Sequence, residues 1–90
     1  MRFEWDRAKA ERNLAKHGVS FREAATVFRD PLSQTGCDPD HSVNEERFVI
    51  FGLSTRGRLL VVAHTERGDT IRIVSARLAT PGERKIYEEG

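Results

Sequence analysis

The chain has 90 residues, 38% of them hydrophobic, so it is long enough for one hydrophobic core and too short for two. Fifteen basic and 14 acidic residues give a net charge of +1, so only a local cluster of cations would hold a polyanion. The single cysteine, Cys37, excludes an internal disulfide and a thiolate zinc cluster. The length predicts one domain, 1–90. The charged start and the lack of a long apolar run predict a protein of the cytoplasm, without a signal peptide or membrane span.

Two helices are predicted near the start of the chain, after a short strand over 2–5. The first, 7–16, begins after the N-cap Asp6 and stops at Gly18, because glycine readily takes the left-handed conformation that ends a helix. The second, 21–29, begins at a Ser-x-x-Glu capping box and ends before an Asp-Pro pair. Both helices are short, so we expect them to form a hairpin.

Strands follow, joined by two turns of the form X-Arg-Gly. We expect an edge strand over 32–37 and then three strands whose turns, 55–57 and 66–68, are three-residue loops. This register pairs Thr65 with Asp69, so even-numbered residues share one face of the sheet and odd-numbered residues share the other. The odd face is wholly apolar and is expected to carry the helices, whereas the even face is ionic at one end.

A last helix is predicted from the capping box of Thr80 and Glu83, which has proline at its first helical position. The element order is therefore a strand, two helices, three or four antiparallel strands and a helix. This order predicts an α+β fold in which the two N-terminal helices pack on a twisted antiparallel sheet. The C-terminal helix is expected near an edge or end of that sheet.

Short motifs distributed over nearly the whole chain resemble those of one protein family. They are FEWD at 3–6, KHGVSF at 16–21, FRDP at 28–31, HS at 41–42, EER at 45–47, TER at 65–67, IRIVSAR at 71–77 and ERKIY at 83–87. In this order and with this spacing the chain resembles the BrnT toxin family. The KHGVSF and IRIVSAR motifs, at their separation, are the most specific part of the resemblance.

The resemblance implies a RelE-like fold and an endoribonuclease toxin that arrests translation. It also implies a BrnA-like antitoxin with a ribbon-helix-helix domain, which neutralises the toxin in a dimer of heterodimers and alone contacts operator DNA. RNA is the implied substrate, and no cofactor or metal is expected. The family is expected to have an aromatic residue, often tyrosine, where this chain has His64, so a catalytic role for His64 is not implied by the resemblance.

The expected chemistry selects candidate catalytic residues at the ionic end of the even face. RNA cleavage without a metal needs a base for the 2′-hydroxyl, a cation for the charged phosphorane and an acid for the leaving oxygen. Arg72 is the candidate cation, reinforced by Arg67 at the turn. Glu46 and Glu66 are alternative bases, and His64 is a base or an acid because an unperturbed imidazole titrates near neutral pH.

Candidate RNA-binding residues surround the same end of the sheet. Phe48 offers a ring on which a base stacks, and Glu46 and Arg47 precede it. Lys16 and His17 end the first helix, where cations suit the helix dipole. They contact RNA only if that helix end lies over the rim of the sheet.

Arg77 is the fifth candidate catalytic residue, although it is predicted on the odd face. It lies about 16 Å along the strand from Arg72, so the two side chains meet one phosphate only if the strand bends or bulges. The alternative is a structural role, in which Arg77 caps a helix or pairs with Glu83.

Other interpretations of the same residues remain open. The ionic rim is also what a solvated sheet end looks like, with Glu and Arg paired weakly across strands. The residues Asp38, Asp40, His41 and Glu45 match no metal-binding loop. The alternative functions are a non-catalytic module that binds the antitoxin and helps to repress the operon, and a small nucleic-acid-binding domain.

Overall fold

The computed structural model describes residues 1–37 and 46–89. The elements in chain order are β1 (Arg2–Glu4), α1 (Arg7–His17), α2 (Phe21–Thr26) with a 3₁₀ turn (Val27–Arg29), β2 (Gln34–Cys37), β3 (Phe48–Leu53), β4 (Leu59–Arg67), β5 (Thr70–Leu78) and α3 (Pro81–Glu89). Within the described ranges, no helix has the length and apolar character needed to cross a membrane. The residues Asp38, Asp40, His41 and Glu45 lie outside those ranges.

Local capping signals place the two N-terminal helices as predicted. The Asp6 carboxylate accepts a hydrogen bond from the N–H of Lys9 at 3.0 Å, and Gly18 ends α1 with a φ of 70°. The Ser20 hydroxyl accepts a hydrogen bond from the N–H of Glu23 at 3.0 Å. Capping depends on residues that are close in sequence, which is why the starts of both helices and the end of α1 were confirmed. The α-helical part of α2 ends at Thr26, and a 3₁₀ turn forms the rest of the predicted range 21–29.

The capping box of α3 is also confirmed. Thr80 N–H donates to Glu83 Oε1 at 2.9 Å, and Glu83 N–H donates to Thr80 Oγ1 at 3.2 Å. The Tyr87 hydroxyl donates to Asp30 Oδ2 at 2.5 Å, and the same oxygen accepts from Leu53 N–H at 2.8 Å. This hydrogen bond ties α3 to the end of β3, and the Asp30 carboxylate raises the pKa of Tyr87 to about 12.

The sheet has five strands in the order β1-β5-β4-β3-β2. Strands β2 to β5 are antiparallel as predicted, but β1 pairs parallel to β5, with Arg2 beside Thr70 and Glu4 beside Arg72. The prediction of a wholly antiparallel sheet was therefore wrong at this edge. Parallel pairing joins distant parts of a chain, so no turn signal marks it in the sequence.

The β4–β5 hairpin differs from the prediction in its turn and register. Its loop has two residues instead of three, although Gly68 has the expected positive φ of 63°. His64 pairs with Ile73, whereas Ala63 pairs with Ser75. Val74, between Ile73 and Ser75, is therefore an extra residue in β5. The short loop inverts the predicted faces of the first half of β5, and the β-bulge restores the predicted faces in the second half.

The new register decides which face of the sheet the helices cover. Ile71 and Ile73 join the even-numbered residues of β4, and this face, here called the helix face, packs against α1 and α2. Gly52 allows close packing, since a Cβ there would lie 2.8 Å from Cγ1 of Val27. The predicted packing of helices on the odd face was wrong. The core consists of Val19, Phe21, Ala24, Val27, Ile50, Leu60, Val62, Ile71, Ile73 and Ala76.

The opposite face of the sheet is apolar in its middle and basic at the hairpin end, and is here called the arginine face. Val49 and Phe51 are half-buried there. Directly opposed residues on paired strands project to the same side, which defines the members of the face. They are Val49, Phe51, Val61, Ala63, Thr65, Arg67, Thr70, Arg72, Ser75 and Arg77.

A buried ion pair fixes α2 to the β3–β4 turn. Glu23 is 6% exposed and accepts hydrogen bonds from the Ser54 hydroxyl at 2.7 Å and from Arg58 Nε at 2.9 Å. Arg58 holds the pKa of Glu23 below its usual range, and it also donates to the Gly18 carbonyl at 3.0 Å. This arginine therefore has a structural role.

The side chain of Asn13 joins α1 to β5, beyond the end of β1. Its amide donates to the carbonyls of Ala76 at 2.8 Å and Val19 at 2.9 Å, and its oxygen accepts from Ala76 N–H at 3.1 Å. The buried side chain thus satisfies both backbone groups of one β5 residue, as a neighbouring strand would. It also fixes the distance between α1 and the sheet.

Candidate nucleic-acid interface

Arg67 and Arg72 lie together on the arginine face, at the hairpin end of β4 and β5. Arg67 is opposite Thr70, and Arg72 is opposite Thr65. Thr65 is only 4% exposed, and its hydroxyl has no hydrogen-bond partner among the described residues. Arg67 and Arg72 therefore share one face and are diagonal to each other across the two strands, an arrangement that suits binding of a phosphate.

Strand β1 adds a carboxylate and a cation that the sequence reasoning missed. Arg72 Nη1 donates to Glu4 Oε2 at 2.7 Å, with the two side chains 35% and 43% exposed. Arg2 lies beside Thr70 in the same strand pair. An ion pair this exposed contributes about 0–1 kcal/mol, so it orients Arg72 but does not prevent the guanidinium from binding an anion. Alternation of charged and aromatic residues in β1 places Arg2 and Glu4 on one side, but only the parallel pairing of β1 with β5 puts that side beside Arg72.

Arg77 lies on the same face as Arg72, because the β-bulge intervenes. It is opposite Val61, about 13 Å from the position of Thr65, so its predicted place on the other face from Arg72 was wrong. Its guanidinium donates to both carboxylate oxygens of Glu83, at 2.7 and 2.8 Å. This pair raises the pKa of Arg77 and lowers that of Glu83 to about 2. The predicted pairing of Arg77 with Glu83 is therefore present, and the catalytic role of Arg77 stays a prediction.

His64 is buried on the helix face, so its predicted position at an exposed rim was wrong. It is 0% exposed and lies between Phe28 and Phe48, with ring centroids 4.8 and 5.7 Å away. Neither ring nitrogen has a hydrogen-bond partner in the described part of the chain, and Nδ1 is 3.8 Å from Glu66 Oε2. Burial lowers the pKa of His64 to about 4, so the ring is neutral at physiological pH.

The remaining predicted residues of the rim are divided between the two faces. Phe48 and Glu66 lie on the helix face, where Glu66 lines a pocket of about 280 Å³ with His64. Glu46 is exposed and Arg47 is half-buried just before β3. Because successive side chains alternate, Arg47 belongs on the arginine face. The structure thus separates the candidate cations from His64 and Glu66.

Lys16 and His17 line a surface groove between α1 and β5. The groove has a volume of about 400 Å³, and its other lining residues include Lys9, Arg12, Val74 and Ser75. The sequence reasoning missed Lys9 and Arg12. The spacing Lys9, Arg12, Lys16 would have revealed them, since residues three or four apart share a helix face.

Comparison with known proteins identifies the family. Residues 5–83 match the family model described as "Ribonuclease toxin, BrnT, of type II toxin-antitoxin system". The chain belongs to the BrnT toxin family. The fold is similar to that of the Brucella abortus ribonuclease toxin BrnT, with a TM-score of 0.64 and 22% sequence identity, over 89% of this chain and 97% of that one. No curated protein matches the chain in sequence.

Membership in the BrnT family implies an RNA substrate and an antitoxin partner. The similarity to the Brucella toxin supports an α+β fold with three helices and a five-stranded mixed sheet. Among residues 1–37 and 46–89, no three side chains of the metal-binding types gather into a metal site.

Proposed function

We propose that this single-domain chain is an endoribonuclease toxin of the cytoplasm that cleaves RNA on the arginine face without a metal or cofactor. Cleavage arrests translation, and a BrnA-like ribbon-helix-helix antitoxin neutralises the toxin in a dimer of heterodimers and supplies the only contact with operator DNA. The observation that carries the proposal is the placement of Arg67 and Arg72 on one face, diagonal to each other across β4 and β5, in a chain of the BrnT family. The proposal includes a RelE-like relationship of the fold.

Charge stabilisation by arginine is the main catalytic contribution we assign. In the transition state of RNA cleavage the phosphorane oxygens carry more negative charge than in the substrate. Arg72 is held in position by Glu4 and is the proposed principal cation, with Arg67 beside it.

The general base is assigned to a carboxylate on the side of the sheet that carries these arginines. Glu4 is 2.7 Å from Arg72, and a base must come within hydrogen-bond distance of the 2′-hydroxyl whose proton it takes. Glu66 projects to the opposite face, and the alternation that places Arg47 on the arginine face assigns exposed Glu46 to that opposite face as well, so both are weaker candidates. We assign His64 to packing, because no substrate reaches a ring that is 0% exposed without opening the core.

The first test is Arg72→Gln, which removes the proposed principal cation. We expect RNA cleavage to fall by roughly 10²–10³-fold and growth arrest on expression to disappear, by analogy with the loss of one charge-stabilising donor. The measurements are cleavage by purified protein and growth after induction. Thermal unfolding and antitoxin binding establish that the variant is folded.

Arg84→Gln is the matched control, because Arg84 is an exposed arginine of α3 that pairs only weakly with Glu88, at 3.9 Å. Its activity should equal that of the wild type. Unchanged cleavage in Arg72→Gln would contradict the assigned site. A folded wild-type chain that binds its antitoxin and cuts no RNA would support the alternative of a non-catalytic binding module.

A further inference from the structure

We propose that the groove between α1 and β5 binds successive phosphates of the RNA strand and captures substrate without taking part in the chemistry. This inference rests on the proposed function for the identity of the polyanion. It assigns Lys9 and Arg12, together with Lys16, to a site distinct from the reacting groups around Arg72.

The three cations form one row along α1. Their spacing of three and four residues keeps them on one side of the helix, and Lys9 and Lys16 are separated by about 10 Å along its axis. All three line the same groove of about 400 Å³, together with His17. A row of this length offers contacts to several phosphates of one strand and not to a single small anion.

The positive charge of the groove is poorly compensated. The lining contains no carboxylate, and the ion pairs within the described residues involve other cations. The charges of Lys9 and Arg12 also act on Asp6: its pKa is lowered mainly by its hydrogen bond from the backbone N–H of Lys9 and further by these two charges. The chain as a whole carries only +1, so this concentration of cations is local.

The groove is continuous with the arginine face. Ser75 lines the groove and also lies opposite Ala63 on that face. Arg72 is three residues away on the same strand, on the order of 10 Å. Hydrogen bonds of 2.8 and 3.1 Å between the Asn13 side chain and the backbone of Ala76 hold α1 against β5. They therefore fix the distance between the groove and the arginine face. An RNA strand that leaves the groove past Ser75 therefore reaches Arg72.

The test compares two triple variants that remove the same charge. Lys9→Gln/Arg12→Gln/Lys16→Gln neutralises the groove, and Arg22→Gln/Arg84→Gln/Lys85→Gln neutralises three exposed cations elsewhere on the helices. Glutamine retains good helix propensity, so both variants should fold, and thermal unfolding checks this. The probe is a single-stranded RNA that is 2′-O-methylated throughout, because it lacks the nucleophilic hydroxyl and cannot be cleaved.

We expect the groove variant to bind the probe at least tenfold more weakly at low salt, with the slope of log affinity against log salt reduced in magnitude by about 2. With cleavable RNA, KM should rise by a similar factor while kcat stays within about twofold, since capture acts on binding and not on the chemical step. The control variant should match the wild type in affinity and salt slope.

The failure of this inference is distinguishable from the failure of the proposed function. Wild-type affinity and slope in the groove variant would overturn the inference even if Arg72→Gln abolishes cleavage. Loss of antitoxin binding with unchanged RNA binding would also overturn it and identify the groove as a protein interface. A weaker, less salt-dependent groove variant supports the inference even if the wild-type chain cuts no RNA.

Discussion

Arg72 and Ile73 are neighbours in β5, yet they belong to two differently built regions of the molecule. Ile73 is 1% exposed in the core on the helix face, whereas the side chain of Arg72 is 35% exposed and paired with Glu4 on the arginine face. Alternation along a strand separates these environments within one residue. His64 and Thr65 on β4 also project to opposite faces, although both are buried. Stability and the proposed chemistry therefore depend on different side chains, and each can be altered without the other.

The largest effect is expected from Ile73→Ala. Truncation of a buried isoleucine leaves a cavity and should lower the free energy of unfolding by about 2–5 kcal/mol, whereas Arg72→Ala should change it by less than about 1 kcal/mol. Urea unfolding measures both. RNA cleavage per folded molecule should fall more in Arg72→Ala than in Ile73→Ala. Comparable destabilisation by the two variants would contradict the separation of the two faces.

Histidine burial gives the second prediction. The pKa of His64 is about 4 in the folded chain, below its ordinary value of 6.5, so the unfolded chain takes up the proton first as the pH falls. Above about pH 6.5 the protonation of His64 leaves the free energy of unfolding unchanged. Between there and about pH 4 it should lower that free energy by about 3 kcal/mol. Glu66 Oε2, 3.8 Å away on a side chain that is 46% exposed, is too distant and solvated to offset this.

His64→Phe tests this prediction, because phenylalanine keeps an aromatic ring between Phe28 and Phe48 and cannot be protonated. Urea unfolding of both proteins between pH 7.5 and pH 4 should show a gap that grows towards acid. Carboxylates that titrate in the same range affect both proteins equally, so they cancel in the difference. A constant gap would mean that His64 is accessible to protons in the folded chain, and that our division of the two faces is wrong for this residue.

The smallest effect is expected where the arginine face meets α3. Glu83→Gln removes the partner of Arg77, and because these side chains are 22% and 41% exposed, solvent screening limits the loss to about 1 kcal/mol. Thermal unfolding measures it, with Glu88→Gln in the weaker Arg84 pair as the control. Cleavage should be unchanged, since we assign Arg77 to structure. A large loss of cleavage would show that Arg77 takes part in catalysis, contrary to our assignment.

The parts of the fold that could be predicted from the sequence are those with local causes. Asp6 and Ser20 act through hydrogen bonds to residues three positions away, and the turn at 55–57 produces the expected contact between Ser54 and Arg58 at 2.9 Å. The parallel pairing of β1 and the bulge of β5 depend on contacts between distant segments. A shift of one residue inverts every side chain of a strand, so one residue of error in the length of the β4–β5 loop was enough to assign Ile71 and Ile73 to the wrong face.

The candidate site was predictable only in its residue types. Arg67 and Arg72 share a surface as expected, but His64, which was predicted beside them, packs between aromatic rings instead. A lone histidine in an alternating pattern does not indicate which face of the sheet is buried under the helices. Glu4 was missed because its position next to Arg72 follows from the topology of the sheet and not from any motif.

Asn13 has a consequence for how the molecule avoids self-association. Beyond Arg72, β5 is no longer covered by β1, and a strand edge with unpaired backbone groups is a template for pairing with another chain. The amide of Asn13 occupies the N–H and carbonyl of Ala76 at this point. A single side chain thus occupies the two backbone groups of Ala76 with which a strand of another chain would pair.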